Sequence, residues 1–181
     1  MTGERLTERL RLVPIGAEHV DDLWRLHQES RVADYWGAWS RDDALRYAAR
    51  QVAWWESQRV GKWIAYDRAN GDLVGRGGLS RARVDGEERL ELGWTVIGHL
   101  WGRGFATEIG RAGLDFAFDD LGADEVVAFT ETSNERSSAV MERLAMRYAR
   151  NIVHLGKPFV LYVMTRADDE RLRASDPTTA Y

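Results

Sequence analysis

Residues 90–107 constrain this chain more than any other stretch. Leu90, Leu92, Trp94 and Val96 alternate with other residues at the period of two that a strand requires. Gly93 and Gly98 interrupt it, and glycine inside a strand marks a bulge or a close backbone approach. Trp101-Gly102-Arg103-Gly104-Phe105-Ala106-Thr107 follows, and then a segment in which Ile109, Ala112, Gly113, Phe116, Ala117 and Leu121 fall on one helical face. A strand, a glycine-rich turn and a helix start make an anion site. The first N–H groups of a helix lack intrahelical partners, and its dipole favours negative charge there. Glycine lets the backbone approach a phosphate closely.

Four readings compete for this turn. A Walker A loop needs Gly-Lys-Ser/Thr, and the turn has no lysine. A Rossmann fingerprint fits Gly102 and Gly104, with Glu131 ending the next strand. It fails at Thr107, where the third small residue belongs, and no βαβ unit precedes it. A coenzyme A pyrophosphate turn fits. So does a tight strand-to-helix turn with no ligand, which a lone glycine pair would favour.

Composition narrows the function classes. At 181 residues the chain reads as one domain, 1–181, with a sizeable core and a polar tail at 167–181. The net charge of −4 argues against nucleic-acid or anionic-membrane binding. With no cysteine, disulfides, thiol nucleophiles and zinc-thiolate sites are excluded, and no metal cluster is expected. No run is long enough to span a bilayer and the start has no apolar leader core, so a cytoplasmic protein is expected.

Taken in order, residues 7–15 read as a strand. Residues 17–29 read as a helix with Val20, Leu23, Trp24 and His27 on one face, His27 being a packed histidine rather than a ligand. An aromatic loop, 30–39, follows. Ser40 caps the next helix, with Asp42 and Asp43 in its first turn and a buried stripe of Leu45, Ala48, Val52 and Trp55. Residues 62–68 and 73–83 form a hairpin around Asn70-Gly71, and Asp85-Gly86 leads into the central strand. Residues 125–131 form a strand. Ser133-Asn134 opens a helix in which Ser137, Val140, Met141 and Leu144 share a face. Two strands, 147–154 and 158–166, close the pattern.

The turn resembles the central motif of the GNAT acetyltransferase superfamily, Q/R-x-x-G-x-G/A, with Trp101 in place of the polar residue. Gly102-Arg103-Gly104-Phe105-Ala106-Thr107-Glu108 is most similar to the ribosomal-protein N-terminal acetyltransferase (RimJ/RimL-like) branch. Thr7-Glu8-Arg9-Leu10, Leu73-Val74-Gly75 and Glu91-Leu92-Gly93-Trp94 support the likeness. So does Asn134-x-x-Ser137-x-x-Val140-Met141-Glu142-Arg143-Leu144, although Ala145-Met146 replaces the usual Gly-Phe. The resemblance implies an α/β (α+β) fold with a mixed, mostly antiparallel sheet of about seven strands and four helices.

It implies transfer of an acetyl group from acetyl-CoA to a primary amine, on a protein N-terminus or a small molecule, by direct attack in a ternary complex. A non-catalytic acyl-CoA-binding domain is the alternative. The cofactor contacts implied are Trp94, Thr95 and Val96 along pantetheine, and Trp101, Gly102, Arg103, Gly104, Phe105, Ala106 and Thr107 at the pyrophosphate. Asn134 and Ser137, three apart at a helix start, complete them; a capped helix start competes for these two. Glu91 is the candidate base, against a strand glutamate that merely faces solvent or an arginine. Ser137 is the candidate acid for the thiolate, with Tyr148 next. His99 reads as a solvent-facing loop residue. Tyr35, Trp36 and Trp39 are candidates for the acceptor cleft, against a role as a lid on the core. No nucleic acid, membrane or metal is implied, and a homodimer is left open.

Overall fold

In a computed structural model, the described residues are 3–175. The chain runs β1 (Arg5–Leu6), β2 (Leu10–Pro14), a 3-10 turn (Ala17–His19), α1 (Val20–Gln28), α2 (Ser30–Trp36), α3 (Arg41–Gln58) and β3 (Lys62–Asp67). Then come β4 (Leu73–Val84), β5 (Glu87–Val96), a 3-10 turn (Gly98–Leu100), α4 (Phe105–Asp115) and a π-helical turn (Phe116–Asp120). The chain ends with β6 (Glu125–Glu131), α5 (Glu135–Arg143), β7 (Arg147–His154), β8 (Lys157–Thr165) and α6 (Arg166–Ser175). The fold is α/β. Eight strands form one mixed sheet in the order β1-β2-β3-β4-β5-β6-β8-β7. β5 and β6 pair in parallel, with Glu91 opposite Val127.

The described residues hold eight strands and six α-helices where about seven and four were expected. The first expected strand is two. Thr7 turns the chain, its N–H donating to the Leu10 carbonyl at 2.9 Å, so that Arg5 pairs with Leu12. The aromatic loop is in part a helix. Glu29 caps α2 through Val32 N–H (3.1 Å), and Gly37 ends it at φ 79°. Only Val32 of α2 is buried, so the segment carries no apolar period to read.

Of the expected polar tail, 167–175 is helical, while 176–181 lie outside the described residues. Thr165 and Asp168 form a reciprocal cap there: Thr165 Oγ1 donates to Asp168 Oδ2 (2.7 Å) and accepts from Asp168 N–H (3.2 Å). The stripe on α3 also shifts. Ser40 and Asp43 make the capping box, but the buried residues are Ala44, Tyr47, Ala48 and Gln51, and Leu45 is exposed. Gln51 tolerates burial because its Oε1 accepts Lys62 N–H at 2.8 Å. At Asn70-Gly71 the turn is wider than two residues, closed by Asp67 N–H on the Asp72 carbonyl at 2.9 Å.

The chain forms two compact units. One holds the residues through Ser80 with Gly93–Gly113; the other holds Arg81–Leu92 with the chain from Leu114 onward. In the first, Ile15, Leu23, Ala44, Tyr47, Ala48 and Ile64 form a buried cluster between strands and the α1–α3 helices. In the second, Val84, Val127, Ile152, Leu161 and Val163, all on strands, form another buried cluster. Each such Val, Leu or Ile side chain removed from water contributes about 1.5–3 kcal/mol.

Candidate functional site

The glycine turn lies wholly in the first unit. Gly102 has φ 77° and Gly104 φ 85°, a region that side chains with a Cβ rarely enter. A Cβ on Gly102 would meet nothing within 4 Å, so its backbone is open to an approaching group. The first bond of α4 is Glu108 N–H to the Gly104 carbonyl, 3.0 Å. The N–H groups of Phe105, Ala106 and Thr107 precede it and have no intrahelical acceptor. Arg103 is exposed beside them, and Phe105 is buried.

A brace that sequence reading did not assign holds this turn. Glu108 Oε1 accepts Thr7 Oγ1 (2.5 Å) and Arg9 N–H (2.8 Å), and its Oε2 accepts Arg9 Nε (2.8 Å) and Nη2 (2.7 Å). Arg9 Nη1 then donates to the Arg103 carbonyl at 2.8 Å, and the guanidinium lies over the Phe105 ring. Burial alone would raise the Glu108 carboxyl, but the Thr7 and Arg9 hydrogen bonds outweigh it and hold the group below the usual carboxylate range. The signal was present as Thr7-x-Arg9 and Glu108; their separation along the chain hid the contact.

β5 brings the pantetheine candidates to the same unit. Thr95 and Val96 are buried and Trp94 is half-buried. The Val96 carbonyl accepts the Trp101 indole N–H at 2.7 Å, so Trp101 pins the turn to the strand end. Arg31 donates to the Gly98 carbonyl at 3.1 Å and lies over the Trp101 ring. His99 is exposed, as expected. Asp67, Asp72, His99 and Arg103 help line a cleft of about 430 Å³ beside the turn.

Trp36 and Trp39 come together in this unit as well, around Arg76 of β4. Tyr35 packs edge-on to Trp36 with centroids 5.0 Å apart. Trp39 stacks on His27 at 3.4 Å and 4°. His27 is fully buried, and burial first, then the Arg76 charge, hold its imidazole down to about 3.

The remaining candidates lie in the second unit. Glu91 is half-buried on β5 at the register position facing Val127. Asn134 is the N-cap of α5, its Oδ1 accepting Ser137 N–H at 3.2 Å, which is the capped-start arrangement. That bond leaves the Asn134 amide nitrogen outside the cap. Ser137 is half-buried. Tyr148 is exposed, its hydroxyl donating to Asn151 Oδ1 at 3.1 Å, and it packs edge-on to Tyr162. Among the described residues no cluster of His, Asp or Glu could hold a metal ion, and no helix is long and apolar enough to cross a membrane.

Residues 9–147 match the acetyltransferase (GNAT) domain family. The FsC-acetyl coenzyme A-N(2)-transacetylase of Aspergillus fumigatus is 31% identical over 150 residues, 75% of this chain and 61% of that protein. The chain spans about three fifths of the length of the curated relatives it matches at 30% identity or above. A protein from Bordetella pertussis assigned to the GNAT family superposes with TM-score 0.80 at 24% identity, over 90% of this chain and 99% of that one. Aminoglycoside acetyltransferase AAC(6′)-Ib, in complex with coenzyme A and kanamycin, superposes with TM-score 0.75 at 19% identity, over 91% and 98%. The chain belongs to the GNAT acetyltransferase family and has its fold.

Proposed function

We propose that this chain is an N-acetyltransferase, moving an acetyl group from acetyl-CoA to a primary amine by direct attack in a ternary complex. The observation that carries the reading is the Gly102–Gly104 turn at the α4 N-terminus, braced by Arg9 and Glu108, in a chain of the GNAT family. Residues 101–107 would hold the pyrophosphate on the N–H groups that open α4 and on the positive helix end. The backbone of Trp94, Thr95 and Val96 would pair with pantetheine, and one of its N–H groups would stabilise the tetrahedral oxyanion. Asn134 would bond the pantetheine amides, and Ser137 would protonate the leaving thiolate, with Tyr148 the other donor.

Glu91 would take the ammonium proton. A primary amine of pKa near ~10 is mostly charged at neutral pH and cannot attack until deprotonated. Tyr35, Trp36 and Trp39 would wall the acceptor cleft. The whole chain would work as one domain, since β4, β5 and α4 each run unbroken through both compact units. The Gly102–Glu108 run and a likeness to a Vibrio cholerae protein assigned as a ribosomal-protein-serine acetyltransferase support the RimJ/RimL-like branch. A cytoplasmic setting agrees with the charged, cysteine-free composition.

Gly104→Asp tests the turn. It would put a carboxylate where the diphosphate belongs, at a φ of 85° and with a Cβ 3.2 Å from Arg9 Nη2. Calorimetry should show acetyl-CoA affinity down by about tenfold or more, equal to about 1.4 kcal/mol, with the circular dichroism spectrum kept. Parental affinity in that variant would remove the phosphate-turn reading.

A further inference from the structure

Arg76 is a cation where cations are costly. It stands on β4 between Gly75 and Gly77, only 7% exposed. Its Nη1 donates to the Tyr47 hydroxyl at 2.8 Å, and its Nε reaches His27 Nε2 at a long 3.4 Å. The rings of Tyr47, Trp39 and Trp36 face its guanidinium at 4.7, 5.5 and 5.8 Å. Among the described residues no carboxylate pairs with it, and its Nη2 makes no hydrogen bond. His27 is held neutral, so the hydrogen-bond and ring partners named here bring no opposite charge to it. Buried charges in folded proteins are paired, because desolvation is otherwise uncompensated. Ring quadrupoles offset part of that cost and supply no anion.

Among the described residues, two polar side-chain atoms of this unit are buried without a hydrogen-bond partner, His27 Nδ1 and Thr95 Oγ1. The strands explain why Thr95 matters here. A Cβ on Gly75 would meet the Thr95 carbonyl, and one on Gly77 would meet the Gly93 carbonyl and the Trp94 Cα. Arg76, between these glycines, therefore runs alongside Trp94 and Thr95, about 4.8 Å away at the usual strand spacing. The cluster also reaches the surface. Trp36, one of the rings over the guanidinium, is 51% exposed.

We propose that Arg76 anchors the carboxylate of the acceptor. The acceptor is then an amino acid, or a small molecule carrying a carboxylate beside its amine, with the indoles of Trp36 and Trp39 packed on its stem. This rests on the acetyl-transfer reading for the amine half and on the unpaired guanidinium for the acid half. A planar guanidinium binds a carboxylate through paired, charge-assisted bonds. The same charge disfavours polycations such as polyamines and aminoglycosides.

The test compares L-amino acids with their carboxamides and with spermidine, using acetyl-CoA and thiol release. The parent should prefer the carboxylates by about tenfold or more in kcat/KM, the size expected of one charge-assisted hydrogen bond. Arg76→Met should bring that ratio near one, and Arg76→Lys should keep part of it. Because Arg76→Met removes an unpaired buried charge, its ligand-free Tm should hold or rise. A second readout does not need turnover. Carboxylates, and not carboxamides, should change the tryptophan emission of the parent and leave that of Arg76→Met unmoved.

If no amine is acetylated but the emission still responds, the transfer reading fails and the anion site stands. If amines are acetylated with no carboxylate preference and emission is silent, the anchor is overturned and the transferase stands. A lowered Tm with selectivity intact makes Arg76 a stacking residue of the core and overturns the anchor too.

Discussion

His27 illustrates how one buried residue sets a pH response. It has no exposed surface, its ring lies flat on Trp39, and its Nε2 faces Arg76. Burial, then the Arg76 charge, lower its pKa from the ordinary 6.5 to about 3. In the unfolded chain the imidazole takes a proton below pH 6.5; in the folded one it does not until about pH 3. Stability from keeping it neutral is thus complete above pH 6.5 and declines as pH falls toward 3. Denaturant midpoints of the parent should drop through that window. His27→Gln keeps an acceptor for Arg76 but cannot titrate, so its midpoint should fall less over the same range. Equal slopes for the two proteins would show that another group drives the acid response. Glu108 acts on the acid side in the same direction, since its depressed carboxyl contributes fully above the ordinary carboxylate pKa and loses its contribution below it.

At the scale of elements, α6 is tied into its unit by ion pairs. Arg173 donates through Nη1 to Asp119 (3.0 Å), through Nη2 to Asp115 (2.9 Å) and through Nε to Asp169 (2.8 Å). Asp169 is almost fully buried, so its charge is costly without that partner. The Phe116–Asp120 π turn brings Asp119 into reach: Leu121 N–H bonds the Phe116 carbonyl, and Phe118 turns inward. Arg166 closes the other end on the Phe118 and Ala123 carbonyls, each at 2.9 Å. Arg173 is partly exposed, and solvent discounts the pairs. Arg173→Ala should therefore cost about 1–2 kcal/mol by urea unfolding. Arg171→Ala, which loses only a surface pair with Asp168, should fall within ±0.5 kcal/mol, as surface changes do. Identical midpoints for the two variants would mean that α6 is not held by this network.

Across the whole molecule, what could be read in advance is what local chemistry dictates. Gly102 and Gly104 were legible because their positive φ favours glycine over residues with a Cβ. Asp85-Gly86 was legible because both residues have positive φ, 51° and 86°, as a two-residue hairpin needs. The cap at Ser40 announced itself by residue type, while at the α5 start Asn134 and Thr132 both offered a cap and the structure uses Asn134. Thr165-x-x-Asp168 carries the same signature and would have revealed α6, had the charged run after it not looked like a tail. The Arg9–Glu108 brace and the Arg76 cluster were not legible, because pairings 99 and 49 residues apart leave no local pattern. An arginine set between Gly75 and Gly77 in β4 was the available hint. The direct attack proposed above makes a demand on the molecule as a whole: acetyl-CoA and the amine are bound together, with no side chain carrying the acetyl group between them. Initial rates, with each substrate varied at fixed levels of the other, should give intersecting double-reciprocal lines. In the same assay Glu91→Gln should lower kcat/KM for the amine by about 10²-fold or more, while acetyl-CoA affinity by calorimetry changes little. Parallel lines would point to a covalent acetyl-enzyme instead, and a Glu91→Gln rate and pH profile like the parent's would return Glu91 to a purely structural place on β5.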